Sequence, residues 1–423
     1  MHRVVVTGLG IKSPAGNSPA EAFATVLAGK SAAAHLPALL EAGVPVTFGC
    51  QVPDFDPDVY FPKHRRRHLD RPTQLGIAAA TDALADAGTP DAGRPAGPGT
   101  AGSGTAGSGT AGSGTVRCGT YVGTGGANIG LTADFGALPH DKLPVATVPM
   151  IMPNTTAARI SIRHGLQGPC LTFSCACASG SIAIGEAAMA IRYGRIDRAL
   201  AGGVDSMLNP FAIASFARIS ALSRRNDAPQ EASRPFDRDR DGFVMAEGAA
   251  FLVLEREDLA LMRGARIYGE VTGFATGADA SHIVQPLEDG SVAARTMLAA
   301  LADARLRPED IGHVNAHATA TTYNDRAEAR AISACFPAGS PPVTATKGVT
   351  GHLLGAGGAV EAVFALLCAD AGLVPPTANF TGGPDADAID VVHAAPREIE
   401  RLPVVSNSFG FGGHDATLVL SPR

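Results

Sequence analysis

Short apolar runs alternate with longer amphipathic ones along most of this 423-residue chain. Compact stretches rich in β-branched and aromatic residues predict strands at 3–8, 117–123, 199–202, 250–254, 268–276, 313–315, 404–406 and 416–420. Between them, Ala-rich segments with apolar positions at helical spacing predict helices at 19–27, 75–87, 154–164, 178–193, 291–304, 326–335 and 358–368. This alternation implies an α/β protein with helices covering mixed sheets. The runs at 3–9 and 268–274 both close on Thr-Gly and a large apolar residue, Leu9 or Phe274, which hints at a duplicated half. One segment breaks the pattern. Residues 100–114 repeat Thr-Ala-Gly-Ser-Gly in tandem, so 93–115 reads as a flexible Gly/Ser/Thr/Ala loop expanded within the fold.

Composition changes the picture in only a few places. A hydrophobic content of 45% with 17% charge describes a globular protein able to bury a substantial core, and the length suits two fused α/β halves. No apolar run approaches the roughly 20 residues of a spanning helix. The chain opens directly into a strand, so neither a signal peptide nor a membrane association is expected and the cytoplasm is the default. A net charge of −6 gives no reason to expect nucleic acid. Seven cysteines, with no short paired spacing beyond Cys175 and Cys177, argue against a disulfide framework and against a metal site. Cys50, Cys118, Cys170, Cys335 and Cys368 read as small buried apolar residues. The basic run around Lys63, Arg65, Arg66 and Arg67 is either a solvated surface or a docking patch for an acidic partner.

Candidate chemistry centres on Cys177. It lies where a β-like run, Leu171-Thr172-Phe173, breaks into small residues before a helical stretch. A thiol at a helix N-terminus is expected to be favoured as thiolate by the helix dipole and unpaired N–H groups. Isolated cysteines and histidines are usually structural. His317, Lys347 and His352, however, each stand in a distinctive sequence of their own in the C-terminal third.

Cys175-Ala176-Cys177-Ala178-Ser179-Gly180 resembles the nucleophile motif of the β-ketoacyl synthases. Asn315-Ala316-His317-Ala318-Thr319-Ala320-Thr321 is similar to that family's first histidine motif, with Glu328 following. Thr346-Lys347-Gly348-Val349-Thr350-Gly351-His352 resembles its Lys/His motif, with Glu361 at the family's spacing, and Asn407-Ser408-Phe409-Gly410-Phe411-Gly412-Gly413 is similar to its closing loop.

The resemblance implies a thiolase-like α/β fold, with two duplicated halves in a five-layer α-β-α-β-α arrangement. The halves would be 1–258, carrying the nucleophile, and 259–423, carrying the His/Lys/His motifs. It implies a decarboxylative Claisen condensation of an acyl chain held on Cys177 with malonyl-acyl carrier protein, in fatty-acid or polyketide biosynthesis. In that reading Cys177, His317, Lys347 and His352 are catalytic, and the N–H groups of Cys177 and Phe411 form the oxyanion hole. Thr319, Thr321, Phe216 and Phe411 bind substrate, and Glu328 and Glu361 are structural acids. Lys63, Arg65, Arg66 and Arg67 would dock the acyl carrier protein. No bound cofactor is implied, because the phosphopantetheine arrives on the carrier. The expected assembly is a homodimer, or a heterodimer with a chain-length factor. A non-catalytic chain-length-factor-like partner and a coenzyme A-dependent thiolase remain alternatives. Ala318, Val284 and His414-Asp415 depart from the family's usual residues, which leaves carrier preference and chain length open.

Overall fold

The computed structural model describes residues 1–66, 69–89, 116–126 and 128–423; the expected loop at 93–115 lies outside the described residues. Eleven strands among the described residues join in one mixed sheet. They are β1 (Val4–Lys12), β2 (Cys118–Gly123), β3 (Cys170–Phe173), β4 (Arg198–Ser206), β5 (Glu247–Arg256), β6 (Gly269–Ala278), β7 (His313–Asn315), β8 (Pro342–Thr344), β9 (Asp390–Val391), β10 (Val404–Gly410) and β11 (His414–Ser421). Their order is β9-β8-β7-β10-β11-β6-β1-β5-β4-β2-β3.

That order is mirrored about the centre. Outward from the antiparallel contact of β1 with β6, where Val5 faces Glu270 and Val6 faces Gly269, β1-β5-β4-β2-β3 is matched by β6-β11-β10-β7-β8. Antiparallel neighbours occupy the centre, and the parallel strands β4-β2-β3 and β10-β7-β8 lie toward the edges. The helices match as well. α1 (Arg71–Asp86), α2 (Thr155–His164) and α3 (Ser179–Arg192) serve the first half; α4 (Ser291–Ala304), α5 (Thr322–Cys335) and α6 (Gly357–Ala371) serve the second.

Burial follows from the sequence of each helix. α1 and α2 pack on one outer face, and α4 and α5 on the other. α3 and α6 lie between the two halves and touch strands of both. α6 is apolar almost all round, and 83% of the 18-residue stretch Leu354–Ala371 is buried inside the protein. That stretch is long and apolar enough to span a bilayer, contrary to the sequence reading, but here it fills the core. The result is the thiolase-like fold, five layers deep.

Each expected strand or helix span is met by an observed element, and His313–Asn315 and Ser291–Ala304 match theirs end to end; β8, β9 and the helices Ile129–Gly136 and Pro210–Arg218 lie outside the expected spans. Cys170 departs from expectation. It is exposed on the edge strand β3, whereas Cys50, Cys118, Cys335 and Cys368 are buried.

Candidate active site

The two central helices bring the chemistry together at their N-termini. Small residues permit the approach: a side chain on Gly180 would stand 2.8 Å from the Gly355 carbonyl, and one on Gly358 would stand 2.2 Å from Ser181 Oγ. Ser181 Oγ also lies 2.9 Å from Ser408 Oγ, tying the first turn of α3 to β10. Cys177 sits in the short helical turn Ala176–Ala178 immediately ahead of α3. Ser179 fixes that turn, accepting from the Cys175 N–H at 2.9 Å and donating to the Ala176 carbonyl at 2.6 Å.

His352 precedes α6. Its backbone is clamped to the approach to β5, through bonds to Val244 O (2.8 Å) and from Ala246 N (3.0 Å). This places His352 Nε2 3.0 Å from Cys177 Sγ. His317 follows β7, its ring centroid 5.2 Å from that of His352 and nearly perpendicular to it at 83°. Lys347 Nζ lies 3.3 Å from His317 Nδ1 and 2.5 Å from Glu361 Oε1. All four expected catalytic residues therefore converge, and all are buried.

Two acids hold the frame. Glu328 accepts from the backbone N–H of His317 at 2.8 Å and of Ala318 at 2.6 Å, and from Asn407 Nδ2 at 3.2 Å. This fastens a loop in which Ala318 (φ 26°) and Ala320 (φ 66°) adopt left-handed conformations. Ala176 (φ 48°) and Leu354 (φ 52°) do the same beside Cys177 and His352, so backbone strain gathers around the reacting centre. Burial pushes the carboxyls of both Glu328 and Glu361 up to about 7, the latter despite the Lys347 ammonium.

Electrostatics correct one expectation. Burial pushes the Cys177 thiol up to about 12, outweighing the opposing Lys347 charge and the backbone N–H groups of Phe411 and of Cys177 itself. Both histidines are held well below the usual imidazole range by burial first and then by Lys347. The resting pair is thus a neutral thiol beside a neutral imidazole rather than a thiolate. Because Lys347 donates to His317 Nδ1, the imidazole proton of His317 sits on Nε2.

A cavity of about 270 Å³ opens onto Cys177, His317 and His352. Thr319 and Thr321 line it with their hydroxyl oxygens 3.0 Å apart. Phe411 and Phe216 line it too, ring centroids 6.3 Å apart, and Phe216 continues to Phe243 (5.7 Å), whose edge meets His352 (5.2 Å). Lys63 and Arg66 of the basic run do not border this cavity. Lys63 and Arg66 belong to the short helix Lys63–Arg66 and share Asp58, at 4.0 and 2.7 Å. Arg65 falls within that helix, and Arg67 lies outside the described residues.

Sequence reasoning gave no role to Asp205, Phe243 or Asp415. Asp205 accepts from Thr124 Oγ1 and from the N–H groups of Gly125, Gly126 and Gly355, joining the loop after β2 to the loop before α6. A lone acid ending the apolar run of β4 was its only trace in the sequence.

The chain is similar in sequence and fold to known proteins. The family profile described as Beta-ketoacyl synthase, N-terminal domain, matches residues 1–260, and the corresponding C-terminal domain matches residues 268–381. The 3-oxoacyl-[acyl-carrier-protein] synthase 2 of Vibrio cholerae is 38% identical over 99% of this chain and 98% of its own length. A solved β-ketoacyl synthase from Burkholderia phymatum is 33% identical and superposes with a TM-score of 0.89, covering 100% of both chains. A type II polyketide ketosynthase solved in complex with its acyl-carrier protein is 30% identical with a TM-score of 0.86, over 100% of this chain and 99% of its own.

Proposed function

The chain belongs to the β-ketoacyl synthase family, and from that premise we propose how its residues carry out the family's reaction. The enzyme catalyses a Claisen condensation with malonyl-acyl carrier protein. The observation that carries the residue assignment is the 3.0 Å contact between Cys177 Sγ and His352 Nε2, with His317 and Lys347 behind it.

Cys177 is the nucleophile. As its sulfur attacks the incoming thioester carbonyl, its proton passes to His352 Nε2 and then to the departing pantetheine thiol. The N–H groups of Cys177 and Phe411 receive the carbonyl oxygen as it becomes an anion, in a site from which water is largely excluded. Malonyl then loses CO₂, and the enolate oxygen is held by the Nε2–H of His317 and by His352, which takes a proton from solvent at Nε2 once the pantetheine thiol has left. Lys347 fixes the donor on His317 Nε2 by occupying Nδ1. The enolate carbon attacks the acyl-Cys177 carbonyl, the tetrahedral oxyanion collapses, and the Cys177 sulfur leaves as thiolate. It takes the solvent-derived proton from His352 Nε2, balancing the negative charge freed when the carboxylate departs as CO₂. The product is a β-ketoacyl chain two carbons longer on the carrier.

Thr319 and Thr321 bind the pantetheine arm, and Phe411 with Phe216 bounds the acyl pocket. Glu328 and Glu361 position the loops and the lysine. Lys63, Arg65, Arg66 and Arg67 dock the carrier protein. Residues 1–258 and 259–423 are taken as the duplicated halves, a division that the mirrored strand order supports. The enzyme works as a dimer, with itself or with a chain-length factor; likeness to a solved ketosynthase/chain length factor, 30% identical with a TM-score of 0.86, supports the second form.

The test is the intact mass of the chain after mixing with acyl carrier protein thioesters, beside Cys177→Ala. An acyl-sized gain confined to the parent supports the assignment. No gain from any donor refutes it and favours a non-condensing role.

A further inference from the structure

The cavity carries charge of one sign. Asp241, Asp279 and Asp415 border it, and no Lys or Arg does among the described residues. Asp415 is the buried one of the three, 3% exposed. It stands near the start of β11, opposite Phe409 of β10 and Gly277 of β6, so its neighbours across the sheet bring no compensating charge. Its Oδ2 has no hydrogen-bond partner among the described residues. The charged groups that bear on it are Asp279, just beyond β6, and Glu328 of α5; His317, which lines the same cavity, is held neutral. Burial first, then those two acids, push the Asp415 carboxyl up to about 7.

Oδ2 is fully enclosed, so the carboxyl faces the cavity through its other oxygen, and a carboxylate this poorly satisfied gains from any donor that enters the cavity. Thr319 and Thr321 border the same cavity. The secondary amides of a pantetheine arm need a donor for each carbonyl and an acceptor for each N–H. The threonine hydroxyls can donate, and Asp415 offers the acceptor. Resting on the condensing reading above, we propose that Asp415 is a substrate-binding residue whose carboxylate accepts a hydrogen bond from an amide N–H of the carrier's pantetheine arm. Ionised, it makes a charge-assisted bond; protonated, it offers a weaker one.

The experiment compares two malonyl donors on enzyme already acylated at Cys177: malonyl-acyl carrier protein, and the malonyl thioester of ethanethiol, which has no amide. Asp415→Leu is expected to raise KM for the carrier-borne donor about tenfold with kcat within about twofold, the size of one hydrogen bond to a charged group. KM for the ethanethiol ester stays unchanged. Asp415→Asn, which keeps an acceptor oxygen, recovers most of the loss. The parent's KM for the carrier-borne donor rises as pH falls through about 7, and that rise is absent in Asp415→Asn. An active parent whose Leu variant shifts KM equally for both donors, or for neither, overturns the inference alone. A parent that condenses neither donor overturns the condensing reading and this inference with it.

Discussion

Lys347 Nζ lies 2.5 Å from Glu361 Oε1, and neither side chain is more than 2% exposed. The lysine's remaining reach goes to His317 Nδ1. An ammonium so deeply buried is tolerated because Glu361 compensates it. Glu361→Ala leaves an uncompensated buried charge and is expected to destabilise the fold by about 3–5 kcal/mol in urea unfolding. Replacing both residues by apolar ones of similar volume, Lys347→Met with Glu361→Leu, is expected to recover most of that stability without activity. Equal destabilisation by the single and double variants would show that packing, not charge compensation, governs the site.

The buried Cys177 thiol gives a pH signature. Its ionisation is pushed up to about 12, so peptide-resolved alkylation by iodoacetamide should climb with pH from 7 to 10 without levelling. A plateau below pH 8 would mean that the helix N-terminus prevails over burial and that the thiolate is the resting form. The exposed Cys170 serves as the internal reference, which is why the readout must resolve individual peptides.

His313 of β7 is fully buried, and neither ring nitrogen has a partner among the described residues. Burial lowers its ionisation to about 3. The unfolded chain binds a proton at this residue below about pH 6.5, and the folded chain does not until near 3. Stability is therefore lost as pH falls through that window, by about 1.4 kcal/mol per pH unit. The buried acids Glu328 and Glu361 act in the opposite sense, losing stability as pH rises toward 7, so the parent curve alone mixes the two. The difference between the parent and His313→Leu isolates the histidine. Parallel curves between pH 6.5 and 5 would refute its contribution.

The Phe411 loop touches Cys177 only because Gly410 has no side chain. A Cβ there would stand 2.9 Å from the Cys175 carbonyl and 3.1 Å from the Cys177 nitrogen. Gly410→Ala must push the Phe411 N–H away from the sulfur. Loss of one oxyanion donor corresponds to roughly a 100–1,000-fold fall in turnover. Single-turnover acylation and condensation rates measure it, with the unfolding midpoint as control; an unchanged rate would remove Phe411 from the oxyanion hole.

Much of this architecture was legible because the signals were local. Strand and helix periodicities survive wherever one face is buried, as in α4, and the site residues lay in contiguous motifs. What stayed hidden was set by distance in sequence. Asp205 meets Gly355 150 residues away, and nothing near either residue announces the contact. The ionisation of Cys177 is illegible for a related reason: the helix start is readable from neighbours, but the burial that opposes it is supplied by β10, α6 and the loop at 352–354. Asp415 is visible as a departure from the family's pattern, yet its lack of a partner appears only once β6 and β10 are paired on either side of it.

The duplicated half is the case where a weak sequence hint has a mechanical cause, and it can be tested. Thr-Gly recurs in β1 and β6 because each strand lies directly under a helix. A Cβ on Gly8 would meet the Ala83 carbonyl of α1 at 2.3 Å and Ala87 Cβ at 2.7 Å; one on Gly273 would meet the Ala300 carbonyl of α4 at 2.3 Å and Ala304 Cβ at 2.8 Å. The next residue is matched too: Leu9 N–H donates to Asp86 at 2.8 Å, and Phe274 N–H to Asp303 at 3.0 Å. Each helix is thus held against its strand by an acid and brought close by a glycine. Gly8→Ala and Gly273→Ala are both expected to destabilise by about 1–3 kcal/mol through overpacking against backbone that cannot yield. The two losses should be of similar size and, being in separate halves, additive in the double variant to within about 0.5 kcal/mol. A large loss at one position with none at the other would mean that the halves share a pattern without sharing the packing that produced it.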